Sequence, residues 1–63
     1  MGWTKLAGDC DGRIDCPNIQ QTPRGTIAVQ GPLLTHVYPP HGEAVVEIPA
    51  EMLMEAARVL ATR

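Results

Sequence analysis

Two thiols and two imidazoles are the side chains here best suited to chemistry: Cys10, Cys16, His36 and His41. Together they are the donor set of a structural zinc site, and such a site would stiffen a chain this small. The spacing argues the other way. Five residues separate the cysteines and four the histidines, whereas a zinc-finger cysteine pair spans two to four and closes on a tight knuckle. Zinc on these four residues, a Cys10–Cys16 disulfide and two ordinary thiols are therefore the three readings of this cluster. No other cofactor is expected. Asp9-Cys10-Asp11-Gly12-Arg13-Ile14-Asp15 has the acidity of a calcium loop. It lacks the closing Glu and puts its Gly at the fourth position rather than the sixth, so an Asp-rich turn is the better reading. Without serine in the chain there is no Ser nucleophile, no glycine-rich loop precedes a helix, and nothing fixes a Cys–His dyad. The chain is not expected to be an enzyme.

The elements that would position such groups are few. With 63 residues the chain is one small domain that buries only about 60% of its unfolded surface. A net charge of −2 and the absence of a basic stripe exclude the usual duplex nucleic-acid binder and a membrane-surface segment. Met1-Gly2-Trp3-Thr4-Lys5-Leu6 has no apolar core of a signal peptide, and no run spans a bilayer. Leu6 stands where a myristoylation signal needs Ser or Thr. The expected compartment is the cytoplasm, with Cys10 and Cys16 reduced.

Residues 43–60 look like the organising stretch: a strand Glu43–Ile48 running into a helix. Ala44, Val46 and Ile48 share a face at period two. Pro49 suits a first helical position and Glu51 a first turn. The helix is expected over 49–62. Its stripe Leu53, Ala56, Ala57 and Leu60 has core spacing, and Leu53→Ala should cost roughly 2–5 kcal/mol. Met52 and Val59 widen the apolar arc on one flank and Met54 and Ala61 on the other, to roughly 200°. Either N-terminal residues cap this excess, or Met52 and Val59, with Met54 and Glu55 beside them, form a partner surface. The same patch on a second copy would suit a two-fold dimer.

Residues 1–15 read as irregular, with Trp3 folded over the sheet as a lid. Asn18–Thr22 and Thr26–Gln30 form a hairpin around Pro23-Arg24-Gly25, a type I turn with a Gly bulge. It sets Ile19 opposite Val29 and Gln21 opposite Ile27. Leu33–Tyr38 is a strand or an extended loop, and Pro39-Pro40-His41-Gly42 turns the chain into residues 43–48. The expectation is an α+β domain, a three- to four-stranded antiparallel sheet (strands within 16–48) with one C-terminal helix on one face. Its core would be Ile19, Ile27, Val29, Ala44, Val46, Ile48, Leu53, Ala56, Ala57 and Leu60.

Trp3-Thr4-Lys5, Cys16-Pro17-Asn18-Ile19, Gly25-Thr26-Ile27-Ala28-Val29 and Val46-Glu47-Ile48-Pro49-Ala50-Glu51, in that order, resemble short actinobacterial BldB-like regulators. That family has an early Trp-x-Lys, a Cys-x-x-Val strand and a Gly-Val-Ala-Val strand before the helix. Gln30-Gly31-Pro32 replaces its Arg-Asp-Ser, and Leu53 replaces its helix aromatic. The resemblance implies a non-enzymatic partner of a helix-turn-helix transcription regulator and supplies no catalytic residue. A small metal-binding module or accessory subunit is the alternative.

Overall fold

The computed structural model describes residues 2–8 and 16–62. Its elements are β1 (Thr4–Ala7), β2 (Asn18–Gln21), β3 (Ile27–Gln30) and α1 (Ala50–Ala61). The three strands form one antiparallel sheet in the order β1-β2-β3, and α1 lies against β1 and β2. This is the small α+β domain expected, with a different third strand.

The hairpin follows its turn chemistry. Gly25 takes φ +82, a region open to glycine at little cost. The Gly25 N–H donates to the Thr22 carbonyl at 3.0 Å and the Thr22 N–H to the Thr26 carbonyl at 2.8 Å. The Thr22 and Thr26 hydroxyls meet at 2.7 Å. This turn sets Ile19 opposite Val29 and Gln21 opposite Ile27, the register its length demands.

The remaining strand is β1, which lies inside the segment read as irregular. It pairs Thr4 with Gln21 and Lys5 with Gln20, then a bulge resets the register so that Ala7 faces Ile19. An extra residue breaks the two-residue alternation of a strand. Leu6 and Ala7, adjacent in sequence, are consequently both buried. A period-two search cannot find such a strand.

Residues 43–48, read as the organising strand, do not form one. They make a single bridge, Val46 to Leu33, flanked by hydrogen bonds from the Leu34 N–H to the Val45 carbonyl (2.9 Å) and from the Glu47 N–H to the Pro32 carbonyl (3.1 Å). Pro32 has no N–H to return to Glu47, so the ladder stops there. Leu33–Tyr38 is likewise no strand beyond that bridge.

Pro49 is extended (φ −60, ψ 139) and occupies the N-cap, one residue before the position expected for it. At the other end the Thr62 N–H reaches the Arg58 and Val59 carbonyls, and its hydroxyl donates to the Val59 carbonyl at 3.1 Å.

The core is Leu6, Ala7, Ile19 and Ala56, with Ile48, Met52 and Val59 packed around it. Here the helix corrects the sequence reading. The inward stripe is Met52, Ala56 and Val59, spaced i, i+4, i+7, and its centre lies about 90° from Leu53. Ile48, which precedes the extended Pro49 and so lies outside the helix, packs against the same core, and the small Ala56 lets α1 approach the sheet closely. Leu53, Ala57 and Leu60 point outward instead. Of the other expected core residues, Val46 is half-buried, while Ala44, Ile27 and Val29 are exposed.

Candidate interaction surface

The residues expected to carry chemistry are not brought together. Cys16 is half-buried and disulfide-bonded, so its sulfur is neither the free thiol expected nor a thiolate ready for zinc. Cys10, the only other cysteine, lies outside the described residues, as does the acidic run 9–15. His36 and His41 are exposed on separate turns. Among the described residues no three His, Cys, Asp or Glu groups gather as metal ligands, and no polar or charged side chain is buried.

The proposed partner residues divide. Met52 and Val59 are half-buried and pack against the core, which commits them to the fold rather than to an open surface. Met54 and Glu55 are exposed. The flank that does face outward runs through Leu60, Leu53, Ala57 and Met54, an arc of roughly 120°. Leu53 is 61% and Met54 60% exposed. Arg58, Glu51 and Glu55 form the polar strip on the opposite flank. Wheel geometry from the sequence alone contained this arc but not its orientation.

Other apolar groups are also uncovered. Ile27 and Val29 alternate onto the same sheet face as Ile19, yet α1 makes no contact with β3, and they remain 46% and 44% exposed. On the reverse face Trp3, 59% exposed, borders an open groove of ≈ 400 Å³ with Gln20, Ala28 and Val46. Trp3 is thus not the core lid expected from sequence. Along this groove an amide row is held in place. Gln20 Nε2 donates to Asn18 Oδ1 (3.2 Å), and both Asn18 Nδ2 (3.2 Å) and Gln30 Nε2 (3.0 Å) donate to the Cys16 carbonyl.

Among the described residues no helix is long and apolar enough to cross a membrane. Comparison of the chain with protein-family models, with curated proteins and with solved structures finds no match.

Proposed function

We propose that the chain is a non-enzymatic protein-interaction module that docks the outward flank of α1 on a small helix-turn-helix transcription regulator. The observation carrying the proposal is the arrangement of Leu53, Met54, Ala57 and Leu60 on one exposed arc of a helix whose other apolar stripe is already committed to the core. A contiguous apolar patch on so small a domain favours a protein partner, and a Met in it adapts to irregular contacts. The regulator as partner rests on the resemblance of the Trp3, Cys16, Gly25 and Val46 stretches to BldB-like proteins. A non-catalytic role draws support from the lack of buried polar side chains among the described residues, since tuned acids, bases and nucleophiles depend on burial. The metal-binding alternative has no such observation behind it. A cytoplasmic place belongs to the same proposal, and the disulfide at Cys16 weighs against it.

The test is a calorimetric titration of the full chain with a purified helix-turn-helix regulator found encoded beside its gene. Wild type is expected to bind, and L53E/M54E is expected to lose binding while keeping its circular dichroism and melting temperature. Equal binding by the folded double variant would overturn the assignment of the flank.

A further inference from the structure

The outer edge of β3 carries a second, independent surface. Because the Thr22 N–H donates to the Thr26 carbonyl, those two residues form a hydrogen-bonded pair. An antiparallel ladder alternates, so Gln20 and Ala28 are bonded to each other across β2 and β3, while the Ile19–Val29 and Gln21–Ile27 pairs are not. The N–H and C=O groups of Ile27 and Val29 therefore point away from β2. Among the described residues no strand lies on that side, and none of these groups has another backbone partner.

Proteins usually protect such an edge with charge, proline or a bulge. The opposite edge, β1, has two of these, Lys5 and the bulge beside it. Strand β3 is Ile-Ala-Val-Gln in regular register, with no charge and no proline.

We propose that β3 pairs antiparallel with β3 of a second copy, about a two-fold axis through Ala28, to give a continuous six-stranded sheet. The occupant follows from self-complementarity. With Ala28 opposite Ala28 of the second copy, Ile27 stands opposite Val29 and Val29 opposite Ile27. Every outward N–H then meets an outward C=O, because bonded pairs exchange both hydrogen bonds. The two-fold keeps each sheet face on its own side, so the exposed Ile27 and Val29 side chains of both copies cluster on the helix side. Registers centred on Val29 or on Ile27 would instead set Ile27 opposite Gly31 or Val29 opposite Gly25, both beyond the ends of β3. In the favoured register the Arg24 end of each hairpin approaches the Glu47 that closes the other edge, which joins opposite and exposed charges. An isologous contact of this kind needs one surface only, and it leaves the outward flank of α1 to a different partner.

Sedimentation equilibrium of the purified full chain tests the pairing. Wild type is expected to be dimeric. Val29→Pro removes one outward donor without touching the β2 ladder, and Ile27→Lys puts a charge in the apolar cluster with no backbone change. Both are expected to be monomeric with unchanged far-ultraviolet circular dichroism. Should Val29→Pro fail to fold, Ile27→Lys decides. Ala28→Cys is expected to form a disulfide-linked dimer on oxidation, because the axis brings its two copies together as a non-bonded pair. A monomeric wild type, a folded Ile27→Lys that remains dimeric, or an Ala28→Cys that does not cross-link would each overturn the proposal.

Discussion

Replacing Ile19 with alanine is expected to remove about 2–5 kcal/mol of stability, the range for emptying a fully buried branched side chain. Ile19 is 1% exposed and is the largest fully buried side chain described. It sits in the central strand, opposite Ala7 on one side and Val29 on the other, beneath Ala56 and the flanking Met52 and Val59. A domain of this length holds roughly 3–9 kcal/mol in all. The variant should therefore be largely unfolded at temperatures where wild type is native. Urea denaturation followed by circular dichroism measures this directly, and a loss below about 1 kcal/mol would mean that the core does not centre on Ile19.

Gly8→Ala is expected to be nearly as damaging, for a backbone reason. Gly8 has φ +93, and a Cβ there would lie 2.6 Å from the Pro17 carbonyl oxygen and 2.9 Å from the Asn18 Cα. The left-handed conformation costs a non-glycine residue roughly 1–2 kcal/mol, and forcing an extra carbon into packed surroundings adds about 1–3 kcal/mol. The obstacles are main-chain atoms at the start of β2, so no rotamer change relieves them. Gly25 serves as the control. It also has positive φ, but a Cβ there meets nothing within 4 Å, so Gly25→Ala should cost only the conformational part. Equal losses at the two positions would contradict the close approach of β1's end to β2.

How much of this was legible depended on whether the deciding signal was local. The hairpin was readable because Pro23-Arg24-Gly25 sets the turn, and the turn sets the register down to Ile19 opposite Val29. The helix was readable within one residue from Pro49, Glu51 and a run of good helix formers. Strand β1 was hidden by its bulge, which buries Leu6 and Ala7 side by side. The apolar alternation of residues 43–48 suggested a strand, but its partner stretch contains Pro32, and no pattern within 43–48 records that. The rotation of α1 was ambiguous because two stripes share Ala56, one through Leu53 and Leu60, the other through Met52 and Val59. Only the tertiary packing of Met52 and Val59 against Leu6, Ala7 and Ile19 chooses between them. That choice also exchanges the candidate surface: Met52 and Val59 go inward, and Leu53 and Met54 face out. The exposure of Ile27 and Val29 follows from α1 covering β1 and β2 alone, a tertiary fact with no local signature.

The central claim is that orientation, and two adjacent side chains of similar size test it most directly. Urea unfolding of Met52→Ala and Leu53→Ala, measured side by side, should give a loss of about 1–2 kcal/mol at the half-buried Met52 and within about 0.5 kcal/mol at the exposed Leu53. The reverse order, with Leu53→Ala the more damaging, would put Leu53 in the core and contradict both the fold and the surface assigned to it.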